Sequence, residues 1–377
     1  MAKPTLESAN TACQRLNIST QTLYAYVSRE LVRTCQHPKD SRKRLYFSDD
    51  IDRLAQRQQR GRSRHAVARS TIDFGEPVLR SKISCIHDGE FYYRGQNAVQ
   101  ISKTDSLEDV FERLSNTKIK PSVSMPSAHY ISSCRKPFSR FIDALANFVA
   151  RDKSHGNKNH AFQLLKLMAN NAACQHQTSP NETLHQQLAK SWSSDSRAPD
   201  LIRRALVLCA GHELNASTYA TRVTASAGAK LSACVLTGIS TLSGDYHGGL
   251  TNLCATWMRD SSAKKISEID VSSKDIPPGF GHRLYPNGDP RTIELLSHCP
   301  APKSWQAIAR KVTIKTSAHP TLDFGLATLE QQLELPKGAG FSIFAVGRTV
   351  GWLAHCFEQR QHGVLIRPRA YTEKPQP

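Results

Sequence analysis

No apolar run in this 377-residue chain approaches the roughly 20 residues that span a bilayer, so a membrane protein is not expected. The N-terminus, Met-Ala-Lys-Pro-Thr-Leu-Glu, lacks the apolar core of a secretory signal. The ten cysteines contain no Cys-x-x-Cys pair, so neither a zinc site nor a disulfide framework is indicated. Reduced thiols in a cytoplasmic protein without a metal are the expectation. Acidic residues are scarce as well. Fifty Lys and Arg against 32 Asp and Glu give a formal charge of +18, which favours anionic partners such as nucleic acid, phosphorylated ligands or polycarboxylates. Part of that excess is concentrated, because residues 29–69 hold twelve Lys and Arg against five Asp and Glu.

What is present divides into two regions. Over residues 5–57, Leu6 to Leu16 reads as a helix with Ala9, Ala12, Cys13 and Leu16 on one face. Asn17-Ile18-Ser19 makes a turn, Ser19 or Thr20 caps a second helix to Arg29, and Leu23 and Val27 point to a core. Gln21, Thr22, Tyr24 and Tyr26 are left to face outward or to pack partly. A basic stretch from His37 to Arg44 leads to a strand-like Leu45-Tyr46-Phe47, and Ser48-Asp49-Asp50 opens a third helix. Polar side chains at the start of a second helix suit base-edge reading, with Gln21, Thr22 and Tyr24 as the candidates. Arg42, Lys43 and Arg44 suit phosphate contacts. The words Thr-Leu-Tyr-Ala-Tyr-Val-Ser-Arg and Arg-Lys-Arg-Leu-Tyr resemble the DNA-binding half of MerR-type regulators, which implies a winged helix-turn-helix domain over 1–57. Residues 58–74 then read as a linker.

From residue 75 onward the pattern is mainly α. The exception is Ile83, Ile86, Phe91 and Tyr93, broken by Asp88-Gly89, which reads as a hairpin. Helical stretches are expected at 106–115, 136–151, 159–172, 183–193, 197–210, 215–243, 248–260, 290–298, 303–315, 321–334 and 341–361. Histidines stand in unusual settings: His212 where one helical run ends, His247 before Gly248-Gly249, and His282 in Gly279-Phe280-Gly281-His282. Glycine beside a histidine lets the backbone approach a ligand closely. Arg291 offers a planar fork for a carboxylate. Asp323, between Leu322 and Phe324, is an aspartate in apolar surroundings, where desolvation raises proton affinity as a general base requires.

Six segments carry a resemblance to the citrate synthase family, in that family's order: His-Glu-Leu-Asn-Ala-Ser at 212–217, His-Gly-Gly at 247–249, Gly-Phe-Gly-His through Asp-Pro-Arg at 279–291, Asp-Phe at 323–324, Gly-Arg-Thr-Val-Gly-Trp-Leu-Ala-His at 347–355, and Arg-Pro at 367–368. Asp-Gly-Glu-Phe-Tyr-Tyr-Arg-Gly at 88–95 is similar to the family's N-terminal hairpin. The likeness implies large and small helical domains over 75–377, the small one being about 250–332. It implies a citrate (Si)-synthase-like acyltransferase of the tricarboxylic acid cycle, condensing acetyl-CoA with oxaloacetate to give citrate and CoA; propionyl-CoA would give 2-methylcitrate. Carried over by motif, Asp323 is the base, His247 the donor to the thioester oxygen and His282 the donor to the keto oxygen. Arg291, Arg348 and Arg367 hold the dicarboxylate with His212 assisting, and Arg367 crosses from a neighbouring subunit of a homodimer. No tightly bound cofactor is implied. Gly211, Thr251 and Pro286 depart from the family's usual residues. The other reading is a DNA-binding transcriptional regulator whose synthase-like domain senses CoA esters or oxaloacetate.

Overall fold

The structure, a computed structural model, describes residues 6–29, 31–37, 40–59, 79–119, 130–154, 156–176, 182–272 and 275–368. The chain divides into two compact units, Met1–Arg80 with Pro368–Pro377, and Ser81–Arg367. Most of the stretch read as a linker lies outside the described residues, as does the side chain of Arg42.

In the first unit, strand β1 (Leu6–Ser8) precedes helices α1 (Ala9–Leu16) and α2 (Thr20–Ser28). Strands β2 (Thr34–His37) and β3 (Asp40–Phe47) and helix α3 (Ser48–Gln59) follow. The first helix starts three residues later than the apolar spacing suggests. Leu6–Ser8 pairs antiparallel with Leu45–Phe47, and Ser8 then caps α1 by accepting from Thr11 N. Ser19 caps α2 in the same way through Thr22 N, and Asn17 turns the chain between the helices in the left-handed region. Asp50 is buried, accepting from Arg33 N at 2.8 Å and from Arg33 Nε at 3.0 Å. Ala12, Leu16, Leu23, Val32, Tyr46 and Ile51 form the core of this unit. Gln21, Tyr24, Lys43 and Arg44 are exposed and Thr22 is half-buried; Lys43 Nζ lies 3.3 Å from Asp40.

The second unit opens with β4 (Ser84–His87) and β5 (Glu90–Tyr93), an antiparallel hairpin whose two-residue turn puts Asp88 and Gly89 both at positive φ. That turn matches the right-handed twist of its strands. After the short strand β6 (Gln96–Asn97), the unit is helical: α4 (Ala98–Ile101), α5 (Leu107–Ser115), α6 (Pro137–Arg151), α7 (Lys158–Ala173), α8 (Leu184–Trp192), α9 (Ala198–Cys209), α10 (Ala216–Ser226), α11 (Leu231–Leu242), α12 (Leu250–Ser262), α13 (Pro290–His298), α14 (Lys303–Thr316), α15 (Leu322–Gln332) and α16 (Ala339–His362). The stretch 215–243, read as one run, is two helices. Gly228, at φ +80°, cannot continue a right-handed helix there.

Two apolar clusters fill the unit. The larger one surrounds α9 and α16. The smaller gathers Cys254, Met258, Phe280, Trp305, Ile308 and Phe324, among others, from α12, α14, α15 and the loop before α13. Helix α15 belongs to both: Leu322, Leu326 and Leu329 join the larger, Phe324 and Ala327 the smaller. Asp323, in its first turn, therefore sits at the seam of two cores.

Helix α16 is about 36 Å long at 1.5 Å per residue, and it is buried along most of that length. Its Gly347 and Gly351, four apart on one face, let it lie directly on the backbone of α9. A Cβ at Gly347 would come within 2.6 Å of the Leu206 carbonyl oxygen, and one at Gly351 would collide with that of Ala210. This close approach is what carries Arg348 to the end of α9.

Candidate active site

The end of α9 places His212 at the centre of the site. Its Nε2 lies 2.9 Å from Tyr285 Oη, and its ring stands perpendicular to that of His282 with centroids 5.3 Å apart. Burial, and then electrostatic repulsion from Arg291 and Arg348 and the proximity of His282 and His247, push its pKa well below the ordinary value. Those four residues, far apart in the chain, thus share one electrostatic neighbourhood. Gly211 before it has a packing reason: a Cβ there would meet Tyr93 Cε1 at 3.1 Å, and Gly211 N donates to Tyr93 Oη at 3.0 Å. The Tyr93 ring fills the space a larger residue would need.

His282 is set by backbone pairing. Gly281 N donates to His319 O at 2.8 Å and Thr321 N to Gly279 O at 2.9 Å, tying the glycine turn to the approach to Asp323. Gly279, at φ +88°, also packs so closely on Cys254 that a Cβ would collide with its sulfur. Leu284 N donates to His282 Nδ1 at 3.2 Å. The neutral ring consequently carries its proton on Nε2, which is left to donate. Burial, and then Arg291, hold its pKa down to about 4, so the ring is neutral at pH 7.

His247 is fixed through residues the sequence reading did not single out. Its Nε2 lies 2.8 Å from Ser217 Oγ, which also accepts from Trp352 Nε1 at 3.1 Å. The indole only donates, so Ser217 keeps its own proton to give, either to Asn215 Oδ1 at 2.9 Å or to His247. When Ser217 donates to His247 Nε2, the ring proton stands on Nδ1. Burial, and then Arg348, bring the His247 pKa down to about 3.

The two buried arginines differ. Arg291 is clamped by Asp289, which takes Nε at 2.9 Å and Nη2 at 2.7 Å. Burial opposes its charge, but Asp289 more than offsets this and raises its pKa. The same carboxylate caps α13 through Arg291 N and accepts from Leu322 N at 3.1 Å, locking the start of α15 to the start of α13. Among the described residues Arg348 has no carboxylate partner. Its Nε donates to Cys209 O at 2.8 Å, its Nη2 is buried without a partner, and burial lowers its pKa to about 10. Asp323 accepts from Thr251 Oγ1 at 2.6 Å and from Thr321 Oγ1 at 3.3 Å, and desolvation raises its pKa.

Six of the seven candidate residues thus converge. Arg367 does not: it is exposed beyond α16, on a segment whose Ile366 N donates to Ser226 Oγ at 3.0 Å. Among the described residues no group of three His, Cys, Asp or Glu is arranged to hold a metal ion, and no helix is long and apolar enough to cross a membrane.

The family profile described as citrate synthase, C-terminal domain, matches residues 122–369, about two thirds of the chain. The chain belongs to the citrate synthase family. It is 32% identical over 188 residues to citrate synthase 2 of Bacillus subtilis, covering 46% of this chain and 50% of that protein. To the citrate synthase of Haloferax volcanii it is 35% identical over 184 residues, covering 45% and 48%. The chain therefore spans about half the length of the curated relatives it matches.

Its fold is that of solved citrate synthases. The Thermoplasma acidophilum enzyme, solved in a ternary complex with carboxymethyl coenzyme A and oxaloacetate, superposes with a TM-score of 0.66 at 18% identity, covering 80% of this chain and 95% of that one. The Thermotoga maritima enzyme gives 0.63 at 20% identity, with the same coverage. The family's mainly helical architecture is thus present in Ser81–Arg367, and the converging histidines, arginines and Asp323 all lie within that unit.

Proposed function

We propose that this chain condenses acetyl-CoA with oxaloacetate to give citrate and CoA. The observation that carries this reading is Arg348 Nη2, a buried guanidinium nitrogen with no partner among the described residues, in the neighbourhood of Arg291 and of His212, His247 and His282. A buried cationic donor left unpaired is costly, and a carboxylate of the substrate supplies what Arg348 lacks, Arg291 being already paired with Asp289. Asp323 takes a proton from the acetyl methyl group. His247 donates to the thioester oxygen as negative charge develops there. The resulting carbon nucleophile attacks the keto carbon; the carbonyl π bond opens onto the oxygen that His282 polarises from Nε2, and that oxygen takes a proton and stays on the carbon as the hydroxyl of the product. Water then cleaves the thioester, releasing CoA. His212, held by Tyr285, helps seat the dicarboxylate.

A homodimer completes this picture. Helix α11 contains no charged residue, and the single one on α10, Arg222, is fully buried, in a chain of charge +18. Such an uncharged helix pair suits a second copy of itself, and Arg367, running beside α10, would then reach the partner's site. The small-domain reading, about 250–332, comes from the family likeness and is supported by the second apolar cluster; closure of that domain would exclude water. Scattered free cysteines suit a cytoplasmic setting.

Thiol release on mixing the protein with acetyl-CoA and oxaloacetate tests the proposal. Absence of release with both acetyl-CoA and propionyl-CoA, across several 2-oxo acids, overturns it. Release with propionyl-CoA would extend the activity to 2-methylcitrate.

A second reading concerns the first unit. Its order of elements, with exposed Gln21 and Tyr24 on α2 and exposed Lys43 and Arg44 on β3, suits a winged helix-turn-helix domain bound to DNA, and so a regulator that senses CoA esters or oxaloacetate. DNA retardation that weakens with salt and with neutralisation of Arg42, Lys43 and Arg44 supports it; no retardation at low salt excludes it.

A further inference from the structure

Thr251 stands where this chain departs from its family's usual sequence after the His247 glycines, and its surroundings give the departure a purpose. It lies near the start of α12, is 1% exposed, and donates to Asp323 Oδ1 at 2.6 Å. The bond joins two helices 72 residues apart in the chain. Among the described residues the other carboxylate oxygen, Oδ2, has only the longer contact to Thr321 Oγ1 at 3.3 Å. Thr251 itself has little freedom. A Cβ at Gly340 of α16 would come within 3.0 Å of Thr251 Cγ2, so the methyl group is seated against a bare glycine. A β-branched side chain in a helix is stiff about χ1, and fixing the methyl fixes the hydroxyl.

We propose that Thr251 is a positioning residue for Asp323: its hydroxyl occupies Oδ1 and leaves Oδ2 as the oxygen that accepts the substrate proton. This deepens the condensation reading and rests on it for the identity of that substrate. Asp323 faces further charged or titratable groups on each element packed against it: Arg291 and Asp289 from α13, Arg348 from α16, Cys254 from α12, and Cys209 at the end of α9. These groups act on the carboxylate as a whole, whereas Thr251 acts on Oδ1 and Thr321, at the longer distance, on Oδ2. The short bond acts on one oxygen, and it also favours the ionised form that a base must have when substrate arrives.

The test titrates the Asp323 carboxyl carbon in the full chain labelled with 13C-aspartate, its resonance identified by Asp323→Asn. A lost bond to a charged acceptor corresponds to about one pH unit or more, so Thr251→Val is expected to raise the midpoint by that amount. Thr251→Ser, which keeps the hydroxyl, is expected to restore it. The acid limb of the pH–rate profile for thiol release should move with the midpoint. An unmoved midpoint in Thr251→Val, or a Thr251→Ser protein that behaves like it, overturns the proposal. Should Thr251→Val not fold, Gly340→Ala reads the same bond by crowding the methyl group, and an unchanged midpoint there overturns it equally. The titration needs no turnover, so a wild-type protein without thiol release sinks the condensation reading and still leaves Thr251 tested.

Discussion

Arg348 donates from Nε to the carbonyl oxygen of Cys209 at 2.8 Å while its buried Nη2 has no partner. The end of one helix thus orients a guanidinium that keeps a buried nitrogen available to an anion. On the proposed reading oxaloacetate pairs with that nitrogen and should raise the thermal midpoint by several degrees. At a hundredfold excess over Kd, ligand binding contributes about 2.7 kcal/mol. Arg348→Met removes the buried charge, so its ligand-free midpoint should lie at or above that of the wild type, with no response to oxaloacetate. A wild-type midpoint indifferent to oxaloacetate would contradict the role given to Arg348.

The seating of α16 on α9 is open to a smaller change. Gly351→Ala pushes a methyl group into the Ala210 carbonyl and must move one helix away from the other. The expected loss is about 1–3 kcal/mol in urea unfolding with an unchanged m-value, together with weaker oxaloacetate binding because Arg348 travels with its helix. Full stability in that variant would mean the helices tolerate separation.

Acid should weaken the fold through the site itself. His247 and His282 have folded pKa values of about 3 and about 4, against an unfolded value of about 6.5. Between those limits the unfolded chain binds protons that the folded chain does not. Their contribution is therefore complete above about pH 6.5 and declines as pH falls toward 4. His247→Gln should flatten the slope of stability against pH by up to about 1.4 kcal/mol per pH unit, the value for one proton. Parallel slopes for variant and wild type between pH 6.5 and 4.5 would show that His247 is not held neutral.

Much of this site is legible in the sequence because its chemistry is local. Gly281 and Gly248 flank histidines, Asp323 lies between apolar neighbours, and Pro290 opens the helix that carries Arg291. The supporting residues are not legible, because their roles depend on which distant segments meet. Ser217 and Trp352 are 135 positions apart and meet only when α16 lies along α10. Asp289 stands in the sequence only as the residue before Pro290, yet it caps the helix, clamps Arg291 and holds Leu322. Thr251 reads as a departure until its bond to Asp323 is seen. In the first unit, Leu6–Ser8 has helical spacing but forms a strand, because β3 offers it an edge. Pairing partners outside the local window decide such cases.

On the proposed reading Asp323 removes a proton from the methyl group of acetyl-CoA for attack on oxaloacetate. The most direct measurement is thiol release by the wild type and by Asp323→Asn, each given acetyl-CoA and oxaloacetate, with folding checked by thermal melts. Positioned general bases contribute about 10²–10⁴-fold. The wild type should release thiol in step with citrate, and Asp323→Asn should be slower by that order while still gaining thermal stability from oxaloacetate. An Asp323→Asn protein that turns over at the wild-type rate, or a well-folded wild type that releases no thiol, would contradict the account.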